Sequence, residues 1–355
     1  MEKYYEKTIE KISEKVKNTV KNGDFSFIFI TDLHTDFKDN KEPVLRQCKA
    51  AVKLAKNTLA DCIIIGGDII HGIFEKEYSL NTLKMIKDEF LTSSVPVITV
   101  HGNHDDNAYQ SDKIPWTFDP AAVPYQYIIT GEEFVKTITI PLAKEKDVHD
   151  KTNPFSTYYF ADFPEKKKRI VVLDGYDYPL ITDGKYARYS SENWNRFSDG
   201  QLKWLAERAL DVKNEGWEII ITAHSVLDSN IGVLRAQNYA EVLKIISAFN
   251  DRRRIKDEKL NIDVDYKDAA GKVRLGVYGH THVDSYSYAD GLLHMVTGCS
   301  EISHYDEFLY NTDFKDSPLR EEKTEKEPLF DYYIVSNDKV FRYRFGAGKD
   351  LELTL

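Results

Sequence analysis

Along the chain, short apolar runs each end in a polar residue and give way to a stretch with helical spacing. The runs occupy residues 25–30, 62–65, 95–100, 170–173, 219–221 and 275–278. Their length and their Ile, Val and Phe content predict buried strands, and their alternation with amphipathic segments predicts an α/β fold. Apolar positions Ile9, Ile12, Val16 and Val20 predict a helix within residues 1–22. Further helices are predicted over 44–59, 78–90, 199–213 and 240–250, with Ser198 as an N-cap. The last third reads as antiparallel, with strands at 291–297, 332–336 and 340–345. The final two form a C-terminal β-hairpin about Asn337-Asp338. The charged segments 251–272 and 313–328 read as solvated loops. With no internal repeat and no Gly/Ser linker, the expected organisation is an N-terminal helix (1–22) and a single domain over 23–355 with long loops.

Composition removes whole classes. The 355 residues are 42% apolar and 30% charged, enough to build a core without staples. Disorder, collagen and disulfide scaffolds are excluded as descriptions of the whole chain. Cys48, Cys62 and Cys299 are too few for a disulfide framework, and Cys62 in its apolar run reads as a buried thiol. With 48 basic and 58 acidic side chains the formal charge is −10, which disfavours broad nucleic-acid binding. A small anionic substrate stays open, because a bound metal reverses the local field. The first residues carry no apolar core of a signal peptide, and no apolar run is long enough to span a membrane. A cytoplasmic protein without membrane contact is the expectation.

The informative residues follow the strands. The first strand runs into Asp32-Leu33-His34, the second into Gly66-Gly67-Asp68 and the third into His101-Gly102-Asn103-His104-Asp105. Later strands end in His224 and in Gly279-His280-Thr281-His282. Sites in open α/β sheets form at the carboxyl ends of strands. Five strands would therefore deliver Asp, His and Asn to one edge. Carboxylate, imidazole and amide oxygen make a mixed N/O donor set without thiolate, which suits Mn, Fe or Zn. Asp32 and His34 are two apart, so an extended segment would point both the same way; the same holds for His280 and His282. Two neighbouring cations need a bridging carboxylate, and Asp68 lies between the other turns. A pair of ions about 3.5–4 Å apart would clamp an in-line displacement at phosphorus. Each motif alone is a common turn; the ordered conjunction carries the reading.

In that order the motifs resemble those of the calcineurin-like metallophosphoesterases, over about residues 24–300. The resemblance implies a four-layer αββα sandwich, two mixed β-sheets flanked by helices. It implies that Asp32, His34 and His282 bind one divalent ion and Asn103, His224 and His280 a second, with Asp68 bridging. It gives His104 a catalytic place beside the substrate phosphate, as general acid or charge stabiliser, and a metal-bridging hydroxide as nucleophile. Two departures separate the chain from the Ser/Thr protein phosphatase branch. His71 stands where that branch has an orienting Asp, and Asp105 where it has Glu. The residue orienting His104 is thereby left open.

Substrate choice falls to the long segment after Asp105. It carries Trp116, Phe118, Tyr125, Tyr127, Tyr158, Tyr159, Tyr176, Tyr178, Tyr186, Tyr189 and Trp194, aromatics able to stack a nucleobase or sugar or simply to pack. Lys185, Arg188 and Arg196 could hold a second phosphate or merely face solvent. His71 and His101 could support the ligands, and His304 could face the pocket. The expected function is hydrolysis of a small soluble phosphomonoester or phosphodiester, a nucleotide among the candidates. The alternatives are a metal-dependent nuclease, whose only dense basic cluster is Arg252-Arg253-Arg254, and a non-catalytic structural or partner-binding protein that keeps the metal site.

Overall fold

The computed structural model describes residues 1–108, 123–140, 147–191, 194–213, 215–228, 236–302 and 319–355. Trp116, Phe118 and His304 lie outside the described residues. Strand β1 (Phe25–Ile30) shows why its sequence is apolar at every position but Ser26. Phe25, Phe27 and Phe29 face one apolar layer, Ile28 and Ile30 the opposite one. β2 (Cys62–Ile65) repeats the pattern, with Cys62 and Ile64 inward and Ile63 and Ile65 outward. Strands buried on both faces lose the polar alternation of half-exposed ones.

The first sheet has six strands in the order β17 (Leu351–Thr354), β16 (Lys339–Gly346), β15 (Leu329–Val335), β1, β2 and β3 (Val97–Thr99). β1, β2 and β3 run parallel, while β15 joins β1 antiparallel. The second sheet has seven: β13 (Ser285–Ala289), β14 (Leu292–Val296), β12 (Lys272–Tyr278), β9 (Glu218–Ala223), β7 (Lys168–Leu173), β6 (Tyr159–Phe163) and β5 (Asp147–His149). Its centre, β14-β12-β9-β7, is parallel, and its edges are antiparallel. Two short pairs stand apart, β4 (Val123–Pro124) with β8 (Tyr186–Ala187), and the hairpin β10 (Arg254–Asp257)–β11 (Ile262–Asp265).

The sheets pack face to face through Phe27, Phe29, Ile64 and Ile98 from one and Ile170, Val172, Ile220 and Val277 from the other. Helices α1 (Lys3–Thr19), α2 (Lys41–Thr58), α3 (Lys76–Phe90) and α4 (Gly131–Ile138) cover the outer face of the first sheet. α5 (Asp199–Trp204) and α6 (Tyr239–Asn250) cover that of the second. Each fully buried large apolar side chain contributes about 1.5–3 kcal/mol. The layers are those of the expected αββα sandwich. Among the described residues no helix is long and apolar enough to cross a membrane.

Several expectations change. Val20 lies past the end of α1, whose buried face is Tyr5, Ile9, Ile12 and Val16. The helix opened by Ser198, whose side chain accepts from Gln201 N, stops short of 213. It widens into a π-turn over Leu205–Ala209. Val212 then packs into the outer core, where its carbonyl accepts from Ala270 N at 2.9 Å. The charged segment 251–272 is not all loop. Ile255 and Ile262 are buried while Arg254 and Asp263 pair on the exposed face, so the charges mask a strand alternation. The C-terminal hairpin gains a third strand, β17, and continues the first sheet.

Candidate metal centre

β1, β2 and β3 in one sheet and β9 and β12 in the other all end at the same edge, and each hands a polar turn to it. The loops are tied to one another through backbone. Asp32 N donates to Gly67 O (3.0 Å), His34 N to Asp68 O (2.9 Å), and His280 N to both carboxylate oxygens of Asp32 (3.1 Å each). These bonds hold an unusual backbone. Asp32, His34, Asp68, His280 and His282 all have positive φ, between 41° and 71°. The side chains therefore converge through left-handed turns, not through the extended segments expected from the two-residue spacing. Such conformations cost about 1–3 kcal/mol each and persist only where neighbours over-determine them.

The convergence is tight. Ligand atoms of Asp32, His34, Asp68 and His282 all lie within 4.8 Å of one another, as do those of Asp68, His224 and His280. Asp68 belongs to both groups, and a single oxygen makes the connection. Its Oδ2 is 3.0 Å from His224 Nε2 and 3.7 Å from His34 Nε2, while its Oδ1 accepts from His104 N at 2.9 Å. Asp32 Oδ1 lies 3.3 Å from His282 Nε2 and 3.7 Å from His224 Nε2, and its Oδ2 accepts from Thr31 Oγ1 at 2.8 Å. His34 Nε2 and His282 Nε2 face each other at 3.2 Å. Asn103 is buried on the same turn, directly before the His104 amide that binds Asp68.

The electrostatics match a cation site. Burial pushes the Asp32 and Asp68 carboxyls up, but the facing His224 pulls both below their usual range. Burial also opposes a charged His224; Asp68 and then Asp32 overcome it and raise its pKa to about 9. Burial and the neighbouring His224 push His280 down to about 3. His224 Nδ1 donates to Gly66 O at 2.8 Å, which aims Nε2 at the carboxylates. His280 Nε2 is buried with no hydrogen-bond partner among the described residues. An orphaned imidazole nitrogen, acceptor-only carboxylates and closely opposed ring nitrogens together fit divalent cations.

The remaining predicted residues separate. His104 Nδ1 donates to the His71 carbonyl at 2.6 Å, a backbone contact that orients the ring. His71 reaches the cluster, with its Nδ1 3.2 Å from His34 Nδ1 and its ring packed on Phe37. His101 instead faces Asp174, 3.2 Å away, and packs on Phe134. Asp105 fixes the third turn by accepting from Gly102 N (2.8 Å) and Ile69 N (2.8 Å). Arg196 pairs with Asp199, Lys185 lies over Tyr186 and Arg188 over Tyr189, so the three do not form one phosphate clamp. Arg253 and Arg254 are paired with Asp251 and Asp263.

Sequence reasoning gave no site role to Ser191, Asp106 or Cys299, and named Tyr176 only among the aromatics able to stack or pack. Tyr176 packs near His224 and His280, with ring centroids 6.4 and 6.3 Å apart. Ser191 Oγ donates to the Asn103 carbonyl and to Asp106 (2.8 Å), tying a distant loop to the third turn. Cys299 Sγ donates to Asp32 O at 3.2 Å. None of these carries a local motif, and only tertiary contact reveals them.

Residues 25–284 match the model of the calcineurin-like phosphoesterase family, and the chain belongs to it. It is thus a metal-dependent phosphoesterase. Among solved structures it is similar to a dimetal phosphatase from Danio rerio, with 15% identity, a TM-score of 0.58, and 93% of this chain and 98% of that one covered. It is also similar to the purple acid phosphatase PPD1 from yellow lupin (Lupinus luteus) seeds, with 13% identity, a TM-score of 0.53, and 93% and 54% covered. At those identities the likeness is one of fold. No curated protein matches the chain by sequence.

Proposed function

We propose that the chain hydrolyses a small phosphomonoester or phosphodiester with the help of two divalent ions, Mn, Fe or Zn. Asp32, His34 and His282 would hold the first ion, Asn103, His224 and His280 the second, and Asp68 both. The observation that carries this reading is Asp68 Oδ2 standing between the His34 and His224 imidazoles. When bound, such ions supply Lewis acidity that activates water and neutralises phosphoryl charge. The chain's own residues do the rest. Thr31 and the His280 amide hold Asp32 in place, and Gly66 fixes the His224 tautomer. The His71 carbonyl accepts a hydrogen bond from His104 Nδ1, which leaves Nε2 of that ring to donate toward a leaving oxygen when protonated.

A hydrolysis panel tests the reading: p-nitrophenyl phosphate, bis-p-nitrophenyl phosphate and nucleotides, each with Mn, Fe, Zn, Ni and Mg. Turnover with at least one ester that disappears on chelation and returns with the ion is expected. Inactivity under every ion refutes it. The paired arginines at 253–254 leave no open basic track for a nuclease there.

A further inference from the structure

His34 has two ring nitrogens, and they face opposite ways. Nε2 looks into the cluster, 3.7 Å from Asp68 Oδ2 and 3.2 Å from His282 Nε2. Nδ1 looks out of it, toward His71 Nδ1 at 3.2 Å. The His34 and His71 rings stand edge to face, with centroids 5.1 Å apart and planes at 68°. Two imidazole nitrogens at that distance share one proton donor: one ring donates and the other accepts.

The chemistry of a cation decides which. An imidazole nitrogen that binds a divalent ion carries no proton. A neutral His34 holding the first ion through Nε2 therefore keeps its proton on Nδ1. His71 Nδ1 is then the acceptor, and the proton of the His71 ring sits on Nε2. A ligating His whose outer N–H meets a fixed acceptor is held in one tautomer and one ring orientation. On the side of the second ion, His224 has such an acceptor in the Gly66 carbonyl, 2.8 Å from its Nδ1. On the side of the first ion, His34 has it in a side chain.

The surroundings of residue 71 hold that side chain still. His71 N donates to Asp36 Oδ1 at 2.5 Å, and the His71 carbonyl accepts from His104 Nδ1 at 2.6 Å, so the backbone is tied on both flanks. The ring packs on Phe37, with centroids 4.1 Å apart, and stacks against the His104 ring at 5.1 Å. Gly72 follows with φ 76°, and a Cβ there would stand 2.5 Å from His104 O. Only glycine lets the chain pass so close in that conformation. The loop after Asp68 is thus pressed onto the His104 turn, with His71 Nδ1 turned to His34.

We propose that His71 is the positioning residue of the first ion, its side chain holding His34 by accepting from Nδ1. The proposal rests on the two-ion reading and adds an asymmetry to it. The first ion is supported through a side chain, the second through main chain.

The test is metal binding, which does not need turnover. Manganese alone is titrated into metal-free protein by calorimetry, with electron paramagnetic resonance counting the free ion. His71→Leu keeps the bulk and the backbone carbonyl but offers no acceptor. His71→Asn puts an amide oxygen about where Nδ1 stands. His71→Leu is expected to weaken one of two binding steps by about 10–100-fold, the usual scale for the lost partner of a ligand, and to leave the other unchanged. His71→Asn is expected to recover most of that loss. His34→Ala identifies the step, because it should remove the same one, and adding His71→Leu to it should cost nothing more. Melting curves establish that the variants fold. Nitrogen-15 NMR of the zinc-loaded wild type reads the tautomers without any substitution, with the proton expected on Nδ1 of His34 and on Nε2 of His71. The proposal is overturned if His71→Leu binds both ions like wild type, weakens both steps equally or is not bettered by His71→Asn, or if His71 carries its proton on Nδ1. Wild-type protein that binds no ion overturns the two-ion reading and this proposal with it. Two ions bound regardless of residue 71 overturn this proposal alone.

Discussion

Gly102→Ala is a small change with a large expected effect. The glycine precedes Asn103 on the third turn, and the space where a Cβ would stand is already filled. Asp68 Oδ1 lies 2.2 Å from that point and Asp68 N 2.3 Å. The second contact decides the matter, because Asp68 N is backbone, held where β2 ends, and cannot swing aside as a side-chain tip can. Reaching ordinary contact needs a shift of about 1 Å between the second and third turns, in an interior packed like a crystal. Forced overpacking of this kind costs about 1–3 kcal/mol of stability. The functional cost is larger, since the shift separates Asp68 from Asn103 and from the His104 amide. A misplacement of about 1 Å at a reacting centre is worth roughly 10²-fold in rate. The assay is turnover of the best ester from the panel, alongside metal retained after dialysis and the melting temperature. Gly200→Ala is the control. Its Cβ would meet only Ser198 Oγ, at 3.8 Å, inside α5, so it is expected to be neutral or to stabilise by about 0.5–1 kcal/mol. Wild-type turnover and metal content in Gly102→Ala would refute the reasoning.

Three further outcomes follow from other parts of the molecule. His104→Ala keeps the backbone amide that binds Asp68, so metal content should hold while turnover falls roughly 10²–10⁴-fold; unchanged turnover removes His104 from the chemistry. Burial, and then the neighbouring Asp174, push Asp177 up to about 7. A raised carboxyl stabilises the fold below its unfolded value near 3.8, and that contribution is lost as the pH climbs through about 7. Asp177→Asn should therefore be more stable than wild type at pH 8, by about 1–2 kcal/mol, and the gap should close by pH 4; thermal melts across that range check it. Leu59 caps α2 in the left-handed region (φ 53°) while 83% exposed. Leu59→Gly should add about 0.5–1 kcal/mol, and a loss in chemical denaturation would show that its side chain contributes more than its backbone costs.

The legible part of the site was its donor chemistry. Asp, His and Asn at the ends of five apolar runs follow from what a dinuclear centre needs, and the structure groups six of those side chains, Asp32, His34, Asp68, His224, His280 and His282, with Asn103 on the adjoining turn. The local geometry was not legible. The spacing of Asp32 and His34 suggests an extended segment, yet both adopt positive φ, because the bonds to Gly67 and Asp68 carbonyls outweigh local preference. The backbone contact that orients His104 was hidden for a related reason. It is the main-chain carbonyl of His71, and a carbonyl has no residue type to recognise. In the fold, strands buried on both faces stood out, whereas β10 and β11 were masked by the charges on their exposed side. The ties from Tyr178 and Ser191 to Asp106 join residues more than seventy positions apart, a distance at which no periodicity speaks.

The central claim is that Asp68 is shared by two cations. The most direct measurement is anomalous diffraction from crystals grown with manganese. The account predicts two peaks in every chain flanking Asp68 Oδ2, one against Asp32, His34 and His282 and the other against Asn103, His224 and His280. A lone peak, or manganese bound elsewhere with these seven side chains bare, would contradict it.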